Sequence, residues 1–185
     1  MIEPPLILAI GDSLVAGYGL RAGDSFPAQL QTSLQRQFPG AAVINAGVSG
    51  NTTGDVLRRL PRLLSSLNRR PVLAIVQVGP NDVLRQTPAA RTRVELEQIL
   101  LCLNNCDIPA VLTTVEPPAF IRDRAAAYLD IHSELAGEHG ATVWPFFPPG
   151  VLGHADMVLA DRVHPNAKAV SAVVAAMRPM VEEML

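Results

Sequence analysis

The chain has little cysteine, no surplus of positive charge and no long apolar run, and each shortage removes a class of explanation. Two cysteines in 185 residues are too few for a disulfide framework. Cys102 and Cys106 lie four apart in an apolar helical pattern, where packing between turns accounts for them. Fifteen Lys and Arg stand against seventeen Asp and Glu, a net charge of −2, so counterion release offers no driving force for nucleic-acid binding. The longest apolar stretches, Leu6 to Ile10, Val72 to Val76 and Ala172 to Met177, fall far short of the ~18 residues that cross a bilayer. No integral membrane segment is expected. The first five residues, Met1-Ile2-Glu3-Pro4-Pro5, carry no Lys or Arg and lead into only a short apolar run, unlike a signal peptide. The expected location is cytoplasmic, or periplasmic or secreted if a leader has been cleaved.

Nucleotide and metal motifs are also missing. There is no Walker P-loop. Gly17-Tyr18-Gly19-Leu20-Arg21-Ala22 satisfies the spacing of a dinucleotide fingerprint, but it starts several residues beyond the first strand, and no acid ends the second. Gly47-Val48-Ser49-Gly50-Asn51 fails the last place of a Gly-x-Ser-x-Gly elbow. His132, His139 and His154 have no second ligand at zinc spacing. They read as satisfied or solvated histidines, and no metal is expected.

What is present is a globular composition, 49% hydrophobic and 17% charged, which excludes a disordered chain. The length fits one domain over residues 1–185. Apolar runs rich in Ile and Val alternate with segments of helical period, the pattern of a parallel sheet covered by helices. Five strands are expected, Leu6–Ile10, Ala42–Ala46, Leu73–Val78, Ala110–Val115 and Thr142–Trp144. Helices are expected over Phe26–Gln37, Thr53–Asn68, Arg91–Asn105, Asp123–Glu138 and Asn166–Met184, with Thr53 and Asp123 as N-caps. Pro145 to Gly153 reads as an irregular loop.

In open parallel sheets ligands bind at the carboxyl ends of strands, and here those positions are chemically furnished. Gly11-Asp12-Ser13-Leu14 follows the first strand, Gly47 to Asn51 the second, Gly79-Pro80-Asn81-Asp82 the third, and Asp161-Arg162-Val163-His164-Pro165-Asn166 comes after the fifth. A lone serine at such a turn is most often a helix cap, and Ser25, in a second Gly-Asp-Ser tripeptide with no strand before it, is read that way. Ser13 differs because a base is available: Asp161 and His164, three apart, can sit side by side, the carboxylate fixing the tautomer that takes a serine proton. The Ser13 and Gly50 backbone N–H groups and the Asn81 side-chain amide supply donors for an oxyanion. Each is an ordinary turn or surface feature alone; their joint appearance in sheet order favours catalysis.

With these four blocks the sequence resembles the SGNH (GDSL-type) serine hydrolases. Leu57-Arg58-Arg59-Leu60 and Pro145-Phe146-Phe147 look most like the bacterial thioesterase I, arylesterase and lysophospholipase branch. The resemblance implies a flavodoxin-like three-layer α/β/α sandwich, no cofactor, and hydrolysis of small-molecule acyl esters or thioesters. It implies Ser13 as nucleophile, His164 as base, Asp161 as its orienter, and Ser13, Gly50 and Asn81 as oxyanion donors. Asn51 stands where close relatives often carry Asp, and Pro80 where Gly is common. Substrate contacts are expected from Val83, Leu84, Phe120 and Ile121, with Met157 and Leu159 opposite, residues that could equally serve packing. The alternatives are a carbohydrate O-acetylesterase with the same triad and a non-catalytic flavodoxin-like binding module.

Overall fold

The computed structural model describes residues 3–185, apart from the side chain of Phe120. In chain order the elements are β1 (Leu6–Gly11), α1 (Ser13–Ala16), α2 (Phe26–Leu34), β2 (Ala42–Gly47), α3 (Thr53–Ser65), β3 (Leu73–Gln77), α4 (Pro80–Leu84) and α5 (Ala89–Asn104). They continue with β4 (Ala110–Thr114), α6 (Arg122–Ala125), α7 (Ile131–His139), β5 (Thr142–Pro145) and α8 (Ala167–Glu183). All five strands are parallel, in the order β2-β1-β3-β4-β5. This is the flavodoxin-like arrangement, in which the winding reverses beside β1 and opens a crevice between the carboxyl ends of β1 and β3.

The central strands β1 and β3 are buried along their whole length, and their side chains are apolar but for Gln77 at the end of β3. Alternate side chains of β1 feed two cores. Ile7 and Ala9 join Phe26, Leu30, Val173 and Met177 from α2 and α8, while Leu8 and Ile10 join Val56, Leu60, Leu96 and Leu135 from α3, α5 and α7. The sheet ends are brought close by small residues: a Cβ on Gly47 would lie 2.1 Å from the Ala16 nitrogen. Only glycine lets β2 pack against α1 there.

Several local expectations are corrected. The cap of α3 is Thr52, in a capping box with Asp55; Thr53 is fully buried and hydrogen-bonds Asp82 instead. Ser25 occupies the N-cap position of α2, but its hydroxyl donates to the Ala22 carbonyl rather than capping. Asp123 caps nothing, because the expected helix Asp123–Glu138 is divided into α6, a 3₁₀ turn over Ala126–Tyr128 and α7. The break places Ala125, Tyr128, Leu129 and Ile131 together on the wall of a cavity, and the Tyr128 hydroxyl donates to the Thr87 carbonyl. Helical propensity yields to tertiary contacts there. The helices α1 and α4, four and five residues long, are too short to show an apolar period.

Candidate active site

Ser13 is the first residue of α1, immediately past the end of β1. Its Oγ lies 3.0 Å from His164 Nε2, and His164 Nδ1 lies 2.7 Å from Asp161 Oδ2. These contacts assign the tautomer: Nδ1–H donates to the carboxylate, leaving the Nε2 lone pair for the serine hydroxyl. The other Asp161 oxygen accepts the Val163 and His164 backbone N–H groups at 2.9 and 3.0 Å. The Val163 bond foremost, then the imidazole, hold the Asp161 carboxyl down at about 2. It is therefore ionised across the range in which histidine chemistry operates. Tyr18 completes the arrangement, its ring 4.4 Å from the imidazole, centroid to centroid, and tilted by 37°. Its only trace in the sequence is the Gly-Tyr-Gly segment that imitates a nucleotide fingerprint.

The three expected donors occupy neighbouring loops. Among the described residues, neither the Ser13 nor the Gly50 backbone N–H has an intramolecular acceptor. The Asn81 Nδ2 donates to the Asn51 carbonyl at 3.0 Å and to Asp12 Oδ2 at 3.2 Å, which ties it to the residues flanking Gly50 and Ser13. Asn81 is carried by a turn in which Gly79 has φ +117°, a conformation that a side chain rarely tolerates. Behind that turn, His132 is buried with Nε2 3.1 Å from the Val78 carbonyl; burial lowers its pKa and keeps it a neutral donor. Asp82, next to Asn81, accepts the Thr53 N–H at 3.0 Å and hydroxyl at 2.7 Å, anchoring α4 to α3.

Residues the sequence reading did not single out hold this assembly. Asp12 is 1% exposed, and its Oδ1 accepts the Leu14 N–H at 2.9 Å, capping α1. Burial, only partly offset by that bond and by His164, raises its carboxyl to about 6. Arg59 reaches from α3 to Asn51 Oδ1 at 2.8 Å and to the Ala46 and Gly11 carbonyls at 2.8 and 3.1 Å. Arg85 donates to the Gly50 carbonyl at 2.8 Å. Arg59 and Arg85 act across loops far apart in sequence, so only the fold shows what they hold.

Beside the Asn81 turn opens a cavity of about 630 Å³, within the ~300–1,000 Å³ usual for small-molecule sites. Its walls include Pro80, Val83, Pro117, Ile121, Tyr128 and Phe147. Val83 and Ile121 were expected to face substrate; the Phe120 side chain lies outside the described residues. Leu84 is not among the cavity's walls and is half exposed. Met157 and Leu159 are not among them either: Leu159 packs over Gly19, and the segment bridges back to the His164 loop through Val158 and Pro165. Elsewhere, Glu97, Glu138 and His139 bring possible metal-ligand atoms within 4.8 Å of one another. They belong to α5 and α7, where Glu138 pairs with Arg93 and Glu97 faces His139.

Residues 9–171 match the GDSL-like lipase/acylhydrolase family. An arylesterase of Vibrio mimicus is 30% identical over 164 residues, 88% of this chain and 81% of that protein. The thioesterase 1/protease 1/lysophospholipase L1 of Escherichia coli K12 is 34% identical over 88% of this chain and 76% of its own length. The crystal structure of AlinE4, an SGNH-hydrolase family esterase, superimposes with a TM-score of 0.80 at 40% identity, covering 100% of this chain and 98% of that one.

Proposed function

This chain belongs to the GDSL-like lipase/acylhydrolase family and is a carboxylic ester hydrolase; from that premise we propose that it works by acyl transfer through Ser13, His164 and Asp161. The observation that carries the reading is the unbroken relay from Asp161 Oδ2 through the imidazole to Ser13 Oγ, with contacts of 2.7 and 3.0 Å.

In the first step Ser13 Oγ attacks the ester carbonyl while its proton passes to His164 Nε2. The carbonyl π electrons move to oxygen, and the Ser13 N–H, the Gly50 N–H and the Asn81 N–H given up by the Asn51 carbonyl meet the resulting oxyanion. The intermediate collapses to the Ser13 acyl ester, and the leaving alkoxide takes the proton from His164. Water then gives one proton to His164 and attacks the acyl-enzyme; collapse releases the acid and returns a proton to Ser13. The same sequence serves a thioester, with thiolate as the leaving group.

The apolar cavity beside Asn81 takes the larger hydrocarbon part of the substrate. Its volume and its lining by proline, aliphatic and aromatic residues favour medium-chain acyl or aryl esters and thioesters over the acetyl group of a carbohydrate ester, which would leave most of it empty. A fluorophosphonate tests the nucleophile directly. A stoichiometric adduct found by peptide mass analysis on Ser13, and absent from S13A, is expected; an unmodified Ser13 in an active enzyme would overturn the assignment.

A further inference from the structure

An asparagine side chain is nearly symmetric in outline, so a half-turn about its last bond exchanges NH2 for C=O with little steric consequence. For Asn81 that exchange is decisive: the nitrogen end donates to an oxyanion, and the oxygen end repels one. Two groups in contact with the Asn81 nitrogen set the choice. One is the Asn51 backbone carbonyl at 3.0 Å, an acceptor under all conditions. The other is Asp12 Oδ2 at 3.2 Å, and a carboxyl group is acceptor-only while ionised but gains an O–H donor once protonated.

We propose that Asp12 is a positioning residue for the oxyanion site, its carboxylate locking the Asn81 amide with nitrogen toward Ser13. The inference rests on the reading of Asn81 as an oxyanion donor and assigns it a control element. The carboxylate is built in: the Leu14 N–H holds Oδ1 at 2.9 Å, so Oδ2 is left facing Asn81. With Asp12 ionised, a turned amide would press its oxygen against two acceptors and forfeit both bonds. With Asp12 protonated, the new O–H donates to that oxygen, and the turned amide recovers one of them.

The surroundings set where the lock titrates. The fully buried Gln77 side chain on β3 approaches the carboxylate without charge and favours its ionised form. The Asp82 carboxyl on α4 opposes ionisation, and the imidazolium form of His164 favours it. From α3, Arg59 holds the Gly11 carbonyl next door. Burial dominates, so the lock opens below about pH 6.

The test is a double-mutant cycle on the full chain with a soluble p-nitrophenyl ester. Asn81→Ala should lower kcat by about 10²–10³. Asp12→Asn, which offers an NH2 where the carboxylate stood, should lower kcat on the order of 10-fold or more with KM within about twofold. In the Asn81→Ala background the same change should cost less than about threefold, because there is no amide left to orient. The acid limb of kcat/KM should steepen toward two protons in the parent and flatten to one in D12N. Equal losses in both backgrounds, or a D12N enzyme with parental kcat, would overturn the lock. Full activity in N81A would instead remove Asn81 from the oxyanion site and the proposal with it.

Discussion

Tyr18 lies against the imidazole of His164, ring centroids 4.4 Å apart, although 146 positions separate the two in sequence (164 − 18). The contact links the loop after α1 to the loop before α8. A tilted aromatic pair is worth about 0.5–1.5 kcal/mol, here spent on holding the ring that bridges Ser13 and Asp161. Tyr18→Ala should therefore lower kcat by up to about 10-fold, while Tyr18→Phe, which keeps the ring, should stay near parental activity. Equal losses in the two variants would assign the effect to the hydroxyl instead.

Asp161→Asn keeps the shape and reverses the hydrogen-bond logic at His164 Nδ1. The carboxylate requires Nδ1–H; an amide nitrogen in its place favours the tautomer with the proton on Nε2, which cannot accept from Ser13. Loss of kcat on the order of 10³–10⁴ is expected in steady-state assays. The same group leaves a stability signature. Its native pKa is lowered to about 2, so the stabilisation it provides is present above the unfolded value near 3.9 and fades as pH falls from ~4 toward 2. Thermal melts should show parent and D161N converging in that window.

Asp12 should act on stability in the opposite direction. Its native carboxyl is raised to about 6, so the folded chain holds that proton more tightly than the unfolded one. The contribution to folding is most favourable below ~4, weakens between ~4 and 6, and above that carries the full cost of a buried charge. D12N should therefore melt higher than the parent at pH 8 and lose the advantage by about pH 4. A variant that is slower yet more stable is the expected mark of strain kept for function.

Arg59 makes one fork of hydrogen bonds to the ends of β1 and β2 and to Asn51, the residue whose carbonyl receives Asn81. A lysine cannot reproduce that geometry. Arg59→Lys should cost about 1–3 kcal/mol in denaturant unfolding, because half-buried carbonyls lose a partner. It should also lower kcat more than it raises KM, since Asn51 is freed beneath the oxyanion donor.

The cavity beside Asn81 predicts a length series. Each methylene buried contributes about 0.8 kcal/mol, so kcat/KM on p-nitrophenyl esters should rise roughly 3–4-fold per carbon until the cavity is full. Val83→Trp or Ile121→Trp, each bulking a wall residue, should shift the optimum to shorter acids while sparing the acetate. An optimum unmoved by both variants would place the hydrocarbon elsewhere.

Much of this molecule follows from local pattern. The runs that became β1, β3 and β4 are mainly apolar because the middle of a parallel sheet is covered on both faces, and that requirement acts on each run separately. Asp161 and His164 meet because the Asp161 carboxylate accepts the Val163 and His164 backbone N–H groups and closes the short turn between them. Asn166, placed at the head of the last helix, caps α8 through Ala169 for the same reason: a cap is a contact between near neighbours.

The rest depends on convergence. Thr53 has the chemistry of a cap, yet it faces a buried Asp82 29 residues away, and the cap passes to Thr52. The segment from Asp123 to Glu138 carries no proline, and its one glycine, Gly137, sits inside α7 and not at the break; the helix is divided because its side chains are needed around a cavity. Asp12 is one acidic residue among seventeen until β1, β3 and α4 enclose it and set both its charge and its partner. Contacts within one turn are dictated by covalent geometry and read from the chain, whereas desolvation and the facing of loops from different strands exist only once the sheet has assembled, and these decide which hydrogen the oxyanion site presents.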